Sequence, residues 1–133
     1  MSNTKSIAIV GVGGQGTVLT SDILIEGLVD LGFDVKKTEQ HGLSQRGGSV
    51  NCMVKYGDAV YAPIIADGEA DVVVAFEKIE ALRWLKLLKA GGVFLCSGIL
   101  AEREDEVRQA IEAAGLHVIA AGHTDEWCCL LAQ

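Results

Sequence analysis

The chain has 133 residues, half of them hydrophobic, with one proline and 16 glycines. That size and composition suit a single domain around one core and argue against a disordered chain. A net charge of −7 argues against nonspecific nucleic-acid binding. The apolar runs fall well short of the roughly 20 residues that cross a bilayer, and MSNTKSIAIV lacks a signal peptide's apolar region, so a cytoplasmic protein is expected.

The run Ser6–Val10 predicts a buried strand that stops at GVGGQG. A helix follows over about Gly16–Leu31, with Val18, Leu19, Leu24, Ile25, Leu28 and Val29 on its apolar face. Phe33–Gln40 is a second strand, and the polar loop HGLSQRGGSV (41–50) follows it. Ser49–Tyr56 alternates as a half-buried strand, and Gly57-Asp58 predicts a turn that returns Ala59–Ile65 as its hairpin partner. Ala70–Phe76 reads as a buried strand. Glu77–Ala90 reads as a helix with Ile79, Leu82, Leu85 and Leu88 on one face, widened by Trp84 and Leu87. That face fits either burial in the fold or a homodimer contact. Gly91-Gly92 ends the helix and Val93–Leu100 is another buried strand. Ala101–Ala114 is an amphipathic helix stopped by Gly115; Leu116–Ala121 and Trp127–Ala132 form a closing antiparallel hairpin.

Strands alternating with helices predict one α/β domain over residues 1–133, a three-layer Rossmann-like sandwich. Its sheet is expected to be mainly parallel, with strands Ser6–Val10, Phe33–Gln40, Ala70–Phe76 and Val93–Leu100 at the centre and two antiparallel hairpins.

Gly11, Gly13 and Gly16 match GxGxxG between a strand and a helix, where backbone N–H groups can hold an anion. The same glycines also serve a tight turn with no ligand. A dinucleotide site wants an acid at the end of the second strand; Glu39 stands near that position behind Lys36 and Lys37. In the polar loop, Arg46 offers a planar fork of donors, and Gly47 and Gly48 permit close backbone approach. The candidate phosphate- or partner-facing set is therefore Gly11, Gly13, Gly14 and Gly16 of the turn with Ser44, Arg46, Gly47 and Gly48 of the loop. A solvated loop is the plain alternative. No catalytic residue is assigned. Cys52, Cys96, Cys128 and Cys129 form no CxxC pair, and His41, His117 and His123 have no metal-ligand spacing, so no metal is expected. Cys96 and Cys128 lie in apolar runs as core thiols. GxSxG is absent, and with it support for a hydrolase triad.

With GVGGQG, HGLSQRGGSV and ADVVVAFE in this order, residues 6–90 resemble the gamma-type domain of 2-oxoacid:ferredoxin oxidoreductases, in particular the beta subunit of the indolepyruvate enzymes. That resemblance implies an accessory piece packed against a thiamine-dependent large subunit. In the assembled enzyme, thiamine diphosphate, iron–sulfur clusters and coenzyme A carry the oxidative decarboxylation; the isolated chain is expected to hold none of them. It also implies that Gly11–Gly16 and His41–Gly48 face the active region, with Arg46 a contact to substrate, coenzyme A or partner. Residues 91–133, through SGILAERE and Glu126-Trp127, resemble the C-terminal part of a class I methyltransferase of the ribosomal protein L11 type. The acid expected two positions before the first motif glycine is Ile9, against a methyl-donor site. Two resemblances meeting at Gly91-Gly92 imply a recombined or engineered chimeric scaffold without catalytic activity. An accessory oxidoreductase subunit and a nucleotide or coenzyme A binding module are the alternatives.

Overall fold

The computed structural model describes residues 3–42 and 48–133. The elements are β1 (Lys5–Val12), α1 (Thr17–Asp30), β2 (Asp34–His41), β3 (Ser49–Gly57), β4 (Ala70–Ala75), α2 (Lys78–Trp84), β5 (Leu88–Leu100), α3 (Glu104–Ala113), β6 (Val118–His123) and β7 (Trp127–Ala132). They build one seven-stranded sheet in the order β2-β3-β1-β4-β5-β7-β6. None of the described helices is long and apolar enough to cross a membrane.

The sheet is α/β as expected, but it is not mainly parallel. Only β1–β4 and β4–β5 run parallel; β2–β3, β3–β1, β5–β7 and β7–β6 are antiparallel. The cause lies in β3. Val50 to Val54 are all buried, so this strand needs a neighbour on each side and cover on each face. It takes β1 on one side and β2 on the other, which makes β2 an edge strand instead of a member of a parallel centre. Ala59–Ile65 is not its hairpin partner. That segment contains Pro63, which cannot donate to a ladder, and forms no strand. It is tied down by side chains instead: the Val60 N–H donates to Asp34 Oδ2 at 2.8 Å and the Ile65 N–H to Met53 Sδ at 3.3 Å.

The helix expected over 77–90 stops at Trp84, passes through a 3₁₀ turn at Leu85–Leu87, and gives way to β5 at Leu88. Gly91-Gly92 therefore belongs to an irregular stretch of strand. There the pairing jumps from Ala70↔Leu88 to Val72↔Val93, and Gly91 takes φ 77°. The face of α2 also differs from expectation. Ile79 and Leu82 are exposed, whereas Glu80 and Ala81 are buried. On α1, Thr17, Ser21 and Leu28 face inward while Leu19 and Val29 are exposed. Small residues let α1 approach β3 closely, and Ser21 Oγ satisfies itself on the Val18 carbonyl at 2.7 Å. The closing hairpin is present as β6–β7, with β7 inserted next to β5.

The β1–α1–β2 and β4–α2–β5 crossovers run toward opposite edges of the sheet, and right-handed crossovers of that kind put their helices on opposite faces. One face carries the larger core: Val10, Val73, Ala75, Phe94, Cys96 and Leu130 under Ala81, Val107 and Ile111 of α2 and α3. The other carries Ile9, Val50 and Cys52 under Val18 and Leu24 of α1. α1 packs on β1, β2 and β3. The sandwich has three layers over that half of the sheet. Cys52, Cys96 and Cys128 are buried free thiols, and burial pushes Cys96 up to about 11.

Surface ion pairs add a modest acid sensitivity to the fold. The Val60 N–H and then Lys36 hold Asp34 below its ordinary 3.8. The Lys37 ammonium holds Glu39, Arg108 holds Glu104 and Lys78 holds Glu106 below their ordinary 4.5. Carboxyls whose folded pKa lies below the unfolded one stabilise fully above the unfolded value, and that stability drains away as pH falls through the folded values. The melting temperature should change little from pH 7 to about pH 5 and should fall modestly below about pH 4.5. A melting temperature that rises with acidification would contradict these pairings.

Candidate functional site

The glycine turn links β1 to α1. Gly14 and Gly16 adopt φ 93° and 78°, left-handed values that glycine takes without strain. Gln15 between them folds its side chain back over the strand ends. Its Oε1 accepts the Val12 N–H at 2.9 Å and its Nε2 donates to the Phe76 carbonyl at 3.0 Å. This amide thus bridges the carboxyl ends of β1 and β4, the crevice where open α/β sheets seat ligands. Gly11 lies beneath it. A Cβ there would sit 2.5 Å from Thr17 Oγ1 and 2.9 Å from Gln15 Oε1. Gly11 is a packing glycine that lets the first turn of α1 and the Gln15 amide close onto β1.

Gly13 has a different task. Its N–H donates to the Gly48 carbonyl at 2.9 Å. The β1–β3 register ends at Val12↔Ser49, so the start of β3 lies beside the turn. Across β2–β3, the Gly42 N–H donates to the Ser49 carbonyl at 2.6 Å. The two glycine-bearing motifs, about 30 residues apart in sequence, thus meet at one sheet end. Between them is an open cleft of about 530 Å³, lined by Gly13, Gly14, Gly16, Thr17, His41 and Gly42 among others. Thr17 Oγ1 is buried beneath it without a hydrogen-bond partner among the described residues. Ser44, Arg46 and Gly47 lie outside the described residues.

Glu39 is not placed for a ribose. β3 separates β2 from β1, which puts Glu39 two strands from the glycine turn, about 10 Å away. Its carboxylate is paired with Lys37 and lies 3.3 Å from His41 Nε2. Among the described residues no group of three His, Cys, Asp or Glu side chains could hold a metal. His123 faces Glu104 instead.

Sequence reasoning missed Glu80. It is 4% exposed and is the one charged side chain among the buried residues described. Burying a carboxylate is costly unless donors surround it. Glu80 Oε2 accepts from Ser49 Oγ at 2.7 Å and from Trp84 Nε1 at 3.2 Å, and Arg83 Nε lies 3.7 Å from Oε1. Glu77 caps the same helix by accepting the Glu80 N–H at 2.8 Å. A chain of contacts therefore runs from α2 through Glu80 to Ser49, the residue that follows Gly48. The i, i+4 spacing of Glu80 and Trp84 was the available signal, hidden inside what reads as an apolar helix face.

Two substitutions test this arrangement. Gly11→Ala should destabilise the fold by about 1–3 kcal/mol through overpacking, and the Gly11→Ala/Thr17→Ala double variant should recover part of that loss in a denaturant cycle. Additive losses would show that the two residues do not share space. Glu80→Leu strands the Ser49 hydroxyl and the Trp84 N–H and should cost about 2–3 kcal/mol. A neutral result would remove the Glu80 network from the account.

Residues 6–125 match the family described as pyruvate ferredoxin/flavodoxin oxidoreductase. The chain is 44% identical over 88 residues to indolepyruvate oxidoreductase subunit IorB of Pyrococcus horikoshii, covering 66% of this chain and 44% of that protein. It is 49% identical over 83 residues to IorB of Archaeoglobus fulgidus, 62% of this chain and 41% of that one. The chain therefore spans about half the length of these relatives. A second likeness, 42% identity over 79 residues, is to ribosomal protein L11 methyltransferase of Agathobacter rectalis, covering 59% of this chain and 23% of that protein. Among solved structures, the gamma subunit of keto/oxoacid ferredoxin oxidoreductase from Geobacter sulfurreducens superposes with a TM-score of 0.55 at 27% identity, over 69% of this chain and 50% of that one. The 2-oxoglutarate:ferredoxin oxidoreductase from Magnetococcus marinus, with 2-oxoglutarate, coenzyme A and succinyl-CoA bound, shares the fold at a TM-score of 0.62 and 20% identity, over 71% of this chain and 16% of that one. With nearly its whole length matched, the chain belongs to the pyruvate ferredoxin/flavodoxin oxidoreductase family.

Proposed function

We propose that this chain is the gamma-type accessory part of a 2-oxoacid:ferredoxin oxidoreductase of the indolepyruvate class, and that it contributes a docking edge to a thiamine-dependent large subunit. The observation that carries this reading is the Gly13–Gly48 hydrogen bond, which joins the two glycine-bearing motifs at one sheet end in a chain of this family. The geometry suits docking better than dinucleotide binding. Gln15 spans the crevice between β1 and β4, and Glu39 stands on the edge strand β2, with β3 between it and β1. Thiamine diphosphate, iron–sulfur clusters and coenzyme A would be held by the larger partner. Arg46, Ser44 and Gly47 of the polar loop would contact that partner or its substrate, together with Gly14 and Gly16 of the glycine turn.

The chimeric-scaffold reading has less support. The oxidoreductase family match crosses Gly91-Gly92 and runs to residue 125. The 88-residue and 79-residue likenesses cannot lie end to end in 133 residues, so they share residues instead of meeting at a junction.

Co-expression with the thiamine-dependent large subunit of an indolepyruvate oxidoreductase tests the proposal. The two chains should co-elute on size exclusion, and Arg46→Ala should weaken the complex at least tenfold while leaving the melting temperature of the isolated chain unchanged. A folded chain that stays separate from the large subunit at micromolar concentration would overturn the proposal. Stabilisation of the isolated chain by coenzyme A, lost in Arg46→Ala, would establish a binding module instead.

A further inference from the structure

On the α2 side, the core beside β3 is built from Ala8, Val10 and Met53, but it turns polar where β3 begins. Val50 and Cys52 face α1, so the alternate residues Ser49 and Asn51 point to the α2 side. Asn51 is buried. Its Nδ2 donates to Gln40 Oε1 at 3.1 Å, and its Oδ1 has no hydrogen-bond partner among the described residues. Two residues back, the Ser49 hydroxyl donates to the Glu80 carboxylate at 2.7 Å. The other contacts of Glu80 come from α2 and its cap: Glu77 accepts its N–H, and Trp84 Nε1 and Arg83 Nε approach its carboxylate. Among the described residues, the bond to Ser49 is the one that carries Glu80 out of its own helix. Ser49 in turn is tied to three elements. Its hydroxyl goes to α2, and its carbonyl accepts the Gly42 N–H at the end of β2 at 2.6 Å. The preceding carbonyl, of Gly48, accepts the Gly13 N–H of the glycine turn at 2.9 Å. The edge itself has few side chains to hold its shape. Gly13, Gly14, Gly16, Gly42 and Gly48 carry none, and a Cβ on Gly42 would sit 3.1 Å from the Ser49 nitrogen. The two strand ends meet backbone to backbone.

We infer that Glu80 is the positioning residue of this edge: through the Ser49 hydroxyl it holds Gly48 and Ser49, and with them the Gly13 and Gly42 amides, in the arrangement on which the large subunit docks. The inference rests on the accessory-subunit reading and adds to it a residue that touches no partner and acts through Ser49. Energetics favour this role over a purely structural one. An apolar side chain of similar volume would pack α2 onto the sheet as well as a buried carboxylate does. A hydroxyl-to-carboxylate hydrogen bond is short, strong and directional, so it fixes one strand end in a way that an apolar contact does not. Entropy favours it too. Glycine loses more conformational freedom on ordering than any other residue. A glycine edge left loose would lose that freedom at the moment of docking, and the affinity would fall accordingly. One charge-assisted bond from a packed helix moves the ordering from docking to folding. α2 suits the task, because it packs on β1, β4 and β5, next to the strand whose end it steadies. A site residue held by a buried neighbour on a rigid element keeps its geometry better than one held by a loop.

Two measurements test this. Docking is read by titrating the chain into the thiamine-dependent large subunit of an indolepyruvate oxidoreductase. Positioning is read without any partner, by amide hydrogen exchange on the chain alone. Ser49→Ala and Glu80→Ala should each weaken docking about tenfold, as loss of one hydrogen bond to a charged group does. The double variant should weaken it no further than either single one, because both remove the same link. Glu80→Gln keeps an acceptor oxygen at the same reach and should restore most of the affinity. Ile111→Val, a truncation in the core under α3, should lower the melting temperature and leave docking unchanged. In the chain alone, the Gly13 and Gly42 amides should exchange about tenfold faster in Ser49→Ala and Glu80→Ala than in wild type, and Ile111→Val should not accelerate them. Should Glu80→Ala fail to fold, Ser49→Ala decides both measurements. Unchanged exchange of Gly13 and Gly42 in Ser49→Ala overturns the inference, as do losses of affinity that add in the double variant. A wild-type chain that does not dock removes the accessory-subunit reading on its own account, and the exchange pattern alone then upholds or overturns the positioning by Glu80.

Discussion

The pairing of β1 with β3 is the constraint on which the rest of the structure depends. It runs in unbroken register from Lys5↔Tyr56 to Val12↔Ser49. Once it forms, β1 has β4 as its only other neighbour and β2 must take the outer position. The consequences reach the site directly. The end of β1 and the start of β3 are the two places where the glycine-bearing motifs begin and end, so the register that closes the ladder also delivers Gly13 to Gly48. A one-residue slip would turn Cys52 and Val50 away from α1 and break that contact together. Fold and site are therefore specified by the same set of hydrogen bonds.

Glu80 shows how the second layer is tied to this arrangement. A buried carboxylate is weak evidence for stability, since apolar replacements can serve as well when both partners are exchanged. Its value lies in geometry. By accepting from Ser49 and Trp84, it sets where α2 stands relative to the first residue of β3. Gly13 and Gly42 hold the backbone of Gly48 and Ser49 at the same place. Three elements that are far apart in sequence thus converge on two residues at the foot of the polar loop.

Much of this was legible in the amino-acid order, and what was not has identifiable physical causes. Each predicted helix exists, and the buried strands fall where apolar runs meet glycines. The errors concern pairing, orientation and the extent of elements, such as the helix expected over 77–90 that ends at Trp84. Strand partners are chosen by long-range burial that periodicity does not encode, so β3 reads as a hairpin with Ala59–Ile65 until Pro63 and the burial of Val50 to Val54 are weighed together. On α2, the leucine and isoleucine spacing conceals that Glu80 and Ala81 face the sheet, because a buried acid is recognisable only by its donors, and Ser49 is 31 residues away. The glycine turn was located correctly. Its meaning depended on Gln15, whose amide lies where a ligand's phosphates would be sought.

The C-terminal third meets the physical demands of the sheet that it extends. An α/β sheet extended by an antiparallel hairpin asks for a buried strand, an amphipathic helix with acids in its first turn, and two short apolar strands. β5, α3, β6 and β7 meet those demands, with Glu104, Asp105 and Glu106 at the positive end of the α3 dipole. Apolar character on both faces of β4, β5 and β7 exceeds those demands, because a sheet that was meant to be covered once would alternate.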